Sequence, residues 1–89
     1  MKLSDHKKDK ISEQILAYLY SINPKPAFTS HISNEIVRDD EMVKQLLHGM
    51  KKKGLVVEIR KNPKGKDYSK RSRWVLSEQA YEIYKAKQQ

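Results

Sequence analysis

The sequence predicts an α+β domain in which three helices are followed by a β-hairpin and a closing helix. Three observations carry that expectation. Apolar residues recur at helical spacing in three stretches before Gly54. Beyond it, residues 55–61 alternate as a strand does and Arg73-Trp74-Val75-Leu76 supplies a returning one, with a polar, basic tip between them. Ser77 then precedes a last helical pattern.

Each element has its own cause. Ile11, Ile15, Tyr18, Leu19 and Ile22 form one apolar stripe, predicting a helix over 8–21. Asn23-Pro24-Lys25-Pro26 stops it, because proline disfavours helical geometry in the residue before it. Leu16 and Tyr20 fall on the opposite face, as surface residues or as a contact with a second subunit. Ala27-Phe28 is long enough only for a stub of strand. Thr29 or Ser30 can cap a second helix over 29–37, with Ile32, Ile36 and Val37 expected inside. Asp39 or Asp40 caps a third over 40–53, whose Val43, Leu46, Leu47 and Met50 follow the i, i+3, i+4, i+7 pattern. Gly54 ends it, as the residue that most easily takes a left-handed C-cap. The hairpin spans 55–76: Leu55, Val57 and Ile59 alternate with Val56, Glu58 and Arg60, Asn62-Pro63-Lys64-Gly65 begins the turn, and Trp74 is expected in the core. The last helix, 77–87, starts from a Ser77 cap and puts Ala80, Ile83 and Tyr84 on one face, with Tyr81 beside them. Three helices followed by a hairpin is the order of a winged helix-turn-helix domain, here one domain over 1–89.

Composition narrows the function. A chain of 89 residues with a mean hydropathy of −0.88 supports a single small core and no sizeable cavity, so no small-molecule ligand is expected. The absence of cysteine excludes disulfides and thiolate metal sites and fits a reducing compartment. His6, His31 and His48 lack the spacing of a helical metal site, and no glycine-rich phosphate loop, nucleophile elbow or paired-carboxylate pattern appears. The expectation is therefore no enzyme, no metal and no cofactor. No leader-like apolar stretch and no run near the ~18 apolar residues of a membrane span is present. A cytoplasmic protein is expected, nucleoid-associated, or in a host cytoplasm if the chain is viral.

Charge is the strongest pointer. Eleven of the nineteen Lys and Arg residues lie between Lys44 and Arg73, opposed by two acids, Glu58 and Asp67, a net of +9. The rest of the chain holds eight bases and nine acids. Such a one-sided segment is the footprint of a surface that meets a polyanion. If Val43, Leu46, Leu47 and Met50 face the core, the opposite face of the third helix carries Glu41, Gln45, His48 and Lys52, with Lys44 beside them. Gln45 can bond adenine, and Lys44 or His48 can donate to guanine. Asp39, Asp40 and Glu41 argue partly against phosphate there, either as caps or, for Glu41, as an acceptor from cytosine. Lys51, Lys52 and Lys53 also suit a helix C-terminus on electrostatic grounds alone. The wing is more telling: Arg60, Lys61, Lys64, Lys66, Lys70, Arg71 and Arg73 share fourteen residues with one acid, Asp67. Tyr68 can stack on a sugar or base, or pack on the hairpin stem. Gly49, unfavourable inside a helix, is expected to mark a close approach by another helix or by a phosphate.

Leu46-Leu47-His48-Gly49-Met50-Lys51-Lys52-Lys53-Gly54-Leu55-Val56 resembles the L-x-x-L-x-x-K-G-L-V signature that joins recognition helix to wing in MarR- and PadR-like winged-helix regulators. Leu76-Ser77-Glu78-Gln79-Ala80-Tyr81 resembles the L-T-x-x-G opening of the helix after the wing, with Ala80 where the family usually has Gly. The resemblance spans roughly 11–84, and similar single-domain winged helices are common in archaea and their viruses. It implies a transcription regulator that binds double-stranded DNA as a homodimer through its first and last helices, where Leu16, Tyr20 and Tyr81 offer spare apolar surface. The Z-DNA-binding branch is set aside, because its Asn and Tyr positions, nine and five residues before Gly54, hold Gln45 and Gly49. Two alternatives stay open: a winged helix that docks an acidic protein such as a polymerase or replication subunit, and sequence-independent binding to DNA or RNA.

Overall fold

The computed structural model describes residues 5–60 and 72–87. Along the chain they form α1 (Asp5–Ile22), β1 (Ala27–Phe28), α2 (Thr29–Ile36), α3 (Asp40–Lys52), β2 (Val56–Ile59), β3 (Arg73–Leu76) and α4 (Glu78–Lys87). The three strands make an antiparallel sheet in the order β1-β3-β2. Its register places Ala27 and Glu58 on either side of Trp74, and Val56 opposite Leu76. Paired residues share a face, so these five side chains all turn toward the helices.

The core follows from that register. Ile11, Ile15 and Leu19 of α1, Ile32 of α2 and Val43, Leu47 and Met50 of α3 are buried against Val56, Trp74 and Leu76. Burying one such large apolar side chain stabilises by roughly 1.5–3 kcal/mol. Trp74 is fully buried, and its indole Nε1–H donates to Thr29 Oγ1 at 2.9 Å, so β3 is fastened to the first residue of α2.

Helices α2 and α3 end in the same way. After α3, Gly54 takes a φ of 76°, and Leu55 N–H returns to Met50 O at 2.9 Å while Gly54 N–H reaches Lys51 O at 3.0 Å. After α2, Val37 takes a φ of 56°, with Arg38 N–H on Ser33 O at 2.9 Å and Val37 N–H on Asn34 O at 3.3 Å. Both are Schellman closures, which need a left-handed residue just past the helix. Gly54 meets the expected role; Val37 does not. Expected inside, it is instead 84% exposed, because the apolar period of α2 runs on past the point where the backbone reverses.

Other details also differ from the sequence reading. Thr29 and Ser30 do not cap α2: its N-cap is Phe28, without a side-chain bond, because the Thr29 hydroxyl is engaged by Trp74. Ser33, not Val37, completes the buried face of α2. Asp39 caps α3, accepting from Met42 N–H at 3.2 Å, whereas Asp40 accepts from the buried Ser33 hydroxyl and ties α3 to α2. Strand β2 is shorter than 55–61.

At the C-terminal end, Ser77 caps α4 as expected, its Oγ accepting from Ala80 N–H at 3.1 Å. Ala80 is buried, but Ile83 is 46% exposed. Leu16 and Tyr20 are half-buried within the chain itself, and the Tyr20 ring lies 5.4 Å from Tyr81 and 5.7 Å from Tyr84. Part of the apolar surface expected to be spare for a partner thus serves to dock α4 on α1. Tyr84 adds a bond from its hydroxyl to Glu13 O at 3.4 Å, and burial, with the Glu13 charge, pushes its phenol above the usual value.

Candidate nucleic-acid interface

Helix α3 is amphipathic because Val43, Leu47 and Met50 take one side and polar residues the other. With 13 residues it is about 20 Å long, a fit for a major groove about 12 Å wide. Glu41, Lys44, Gln45 and Lys52 are all solvent-exposed, as the spacing predicts. His48 is placed differently. It is half-buried, its ring edge-on to Trp74 at a centroid distance of 5.3 Å and an angle of 89°, so it leans onto the sheet and does not stand free beside Lys44.

The acids at the start of α3 now divide by role. Asp39 is engaged with the helix N-terminus and Asp40 with Ser33, which are local, structural uses of a carboxylate. Glu41 is exposed on the outer face. Three carboxylates thus stand at the start of α3, and that end of the helix is unfavourable for phosphate.

The basic residues divide too. Lys51 does not belong to the free cationic surface: its Nζ lies 2.7 Å from Glu58 Oε1. The second oxygen of Glu58 accepts from the Ser72 hydroxyl. Burial pushes the Glu58 carboxyl up, but the bonds from Lys51 and Ser72 outweigh it and hold the group below the ordinary glutamate value. Sequence reasoning counts Glu58 only as an opposing charge and passes over Ser72. The available signal is parity: Glu58 is two residues beyond the buried Val56, on the same face of a strand.

Arg60 is exposed immediately after β2, and Arg73 sits in β3 opposite Ile59 and Phe28, on the face of the sheet away from the helices. The remaining wing candidates, Lys61, Lys64, Lys66, Tyr68, Lys70 and Arg71, lie outside the described residues. An added Cβ at Gly49 would meet nothing within 4 Å, so no neighbouring helix makes the expected close approach. Gly49 instead opens onto a shallow groove of about 410 Å³ between the start of α1 and α3, which Lys8, Asp9, Ser12, Gln45 and Lys53 also line. Gln45 is therefore at once an outer-face residue and part of the groove's rim. Among the described residues there is no group of His, Asp and Glu able to hold a metal ion, and no helix long and apolar enough to cross a membrane.

No family model matches the chain, and no curated protein matches its sequence. Solved structures do match. The S. aureus MepR–DNA complex superposes with a TM-score of 0.75 at 19% identity, covering 93% of this chain and 65% of that one. S. aureus MepR in a DNA-binding conformation gives 0.69 at 18% identity, with 92% and 61% covered. A Lactococcus lactis ZitR mutant gives 0.71 at 16% identity, with 99% and 58% covered. The chain thus spans 58–65% of the length of these structures. The shared architecture is the winged-helix fold, the fold expected from the order of elements and from the resemblance.

Proposed function

We propose that this chain is a transcription regulator that binds double-stranded DNA as a homodimer. The outer face of α3 enters the major groove, with Lys44 and Gln45 reading bases and Glu41 and Lys52 flanking them, while the basic segment between β2 and β3 contacts the phosphate backbone or minor groove. One observation carries the reading: the exposed face of α3, opposite its buried Val43, Leu47 and Met50, bears Lys44, Gln45 and Lys52 within a fold that superposes on a MepR–DNA complex. The dimer is built along α1 and α4, where Leu16, Tyr20 and Tyr81 remain half-exposed and Ile83 is open. Two copies would address half-sites about one helical turn apart.

The test is a gel-shift series on random duplex, single strand and RNA, followed by selection of bound genomic fragments. With ~6–10 phosphates contacted, duplex affinity should fall by about 10³–10⁵ between 50 and 200 mM salt. Lys44→Ala with Gln45→Ala should erase sequence preference and spare non-specific affinity, whereas alanine at Lys64, Lys66, Lys70 and Arg71 should weaken all duplexes alike. Identical behaviour of the two sets would remove base readout by α3. Salt-insensitive affinity, or a preference for RNA or single strands, would remove the duplex reading. A mass in solution equal to one chain in the bound and free states would remove the dimer.

A further inference from the structure

We infer that Glu58 is a positioning residue for DNA binding: it ties the C-terminal turn of α3 to the foot of β3 and so sets the recognition helix against the strands that carry the basic segment. This inference rests on the DNA-binding reading above. Its geometry is a three-way junction. Lys51 comes from the last turn of α3, Glu58 from the far half of β2 and Ser72 from the residue that precedes β3. One carboxylate oxygen takes the Lys51 ammonium at 2.7 Å and the other takes the Ser72 hydroxyl, so both acceptors of a single side chain are committed to different elements.

Burial shows that this is not a loose surface pair. The Glu58 side chain is 7% exposed against 49% for that of Lys51. It stands directly across from the fully buried Trp74, at the place where the helix-facing side of the sheet passes from Val56 and Leu76 to polar partners. Without Glu58, Lys51 would lose its ion-pair partner and the Ser72 hydroxyl its acceptor.

Charge makes the case sharper. Glu58 is one of two acids in a segment that carries eleven bases. For a surface selected simply to attract a polyanion, a carboxylate here is a defect, because it lowers the local potential and neutralises Lys51. A neutral residue would give higher non-specific affinity. The position therefore favours geometry at the expense of attraction, which is what a positioning role requires and an electrostatic role forbids.

The two accounts predict opposite signs. On charge alone, Glu58→Ala tightens binding to every duplex and steepens the salt dependence. On the positioning account, Glu58→Ala weakens binding to the selected duplex by about tenfold, and the slope of log affinity against log salt becomes shallower by roughly one to two phosphate contacts, at about 0.9 per phosphate. Glu58→Gln keeps an acceptor oxygen and should retain most of the selected-duplex affinity, while Ser72→Ala, which changes no charge, should lose about two- to threefold. Fluorescence anisotropy from 50 to 200 mM salt, with thermal unfolding of each variant, supplies these readouts. If Glu58→Ala does not fold, Glu58→Gln and Ser72→Ala carry the decision. Selected-duplex binding that tightens or holds in all folded variants overturns the inference and leaves the DNA-binding reading intact. A wild-type chain that binds no duplex overturns both.

Discussion

Replacing Val37 by Asn should make the domain more stable, although it removes an apolar side chain. Val37 closes α2 in the left-handed region, at φ 56° and ψ 57°. That region costs a residue with a Cβ roughly 1–2 kcal/mol, and a branched Cβ fits it worst, whereas Asn enters it readily. Against this stands the burial lost. Fully burying a valine is worth about 1.5–3 kcal/mol, and the side chain is 84% exposed, so about one sixth of that value is at stake, on the order of 0.2–0.5 kcal/mol. The backbone bonds from Val37 N–H and Arg38 N–H do not involve the side chain and should persist. The balance is a gain of about 1 kcal/mol, or a rise of about 4–8 °C in Tm for a domain of this size. Differential scanning calorimetry of wild type and Val37→Asn measures it. Gly54, which occupies the matching position after α3, provides the inverse control: Gly54→Val should destabilise by about 1–2 kcal/mol. A Tm for Val37→Asn equal to or below wild type would refute the reasoning, because it would mean that the valine carries no left-handed strain.

Three further outcomes are expected. Leu47→Ala, at a fully buried position of α3, should lose about 2–5 kcal/mol in urea unfolding, and a loss under about 1 kcal/mol would show that the α3 core face is wrongly assigned. Asp39→Ala removes the cap of α3 and should lower stability by about 0.5–2 kcal/mol, yet tighten duplex binding by removing a carboxylate at the helix start; weaker binding by a folded variant would place that acid in a productive contact. Glu58 is held below its ordinary pKa in the folded chain, so its contribution is present at neutral pH and is lost as pH falls past the ordinary glutamate value and through the lower folded one. Thermal unfolding from pH 7 to about pH 3 should therefore show a steeper acid loss for wild type than for Glu58→Gln, and parallel curves would exclude the linkage.

The elements are legible in the sequence because their signals are local. Period and punctuation coincide in α1, α3 and α4: an apolar stripe, then Asn23-Pro24, Gly54 or, at the start of α4, Ser77. The errors fall where a residue's role is set from a distance. Thr29 has every local qualification for a cap, but Trp74, forty-five residues on, takes its hydroxyl. Val37 continues the apolar pattern of α2, yet the bond from Arg38 N–H to Ser33 O turns the backbone before the pattern ends. Leu16 and Tyr20 look unpartnered on an isolated helix, and α4 supplies Tyr20 with ring partners that no periodicity in α1 could announce.

For the interface the same distinction becomes one between charge and available charge. Sequence counts Lys44, Lys51 and Lys52 alike, but a cation attracts phosphate in proportion to what its own protein leaves unneutralised. Lys51 is paired at 2.7 Å with a nearly buried carboxylate, whereas Lys44 and Lys52 are exposed on the outer face of α3. Asp39 and Asp40 are committed within the fold, to a helix end and to a buried serine, and they leave the start of α3 acidic. The positive surface of α3 therefore lies toward its middle and C-terminal half, and its acidic start is better suited to base edges than to the backbone. If the chain binds duplex DNA as proposed, a charge-reversal scan should find salt dependence concentrated in the basic segment between β2 and β3, while Lys44→Ala and Gln45→Ala should change which duplex is chosen.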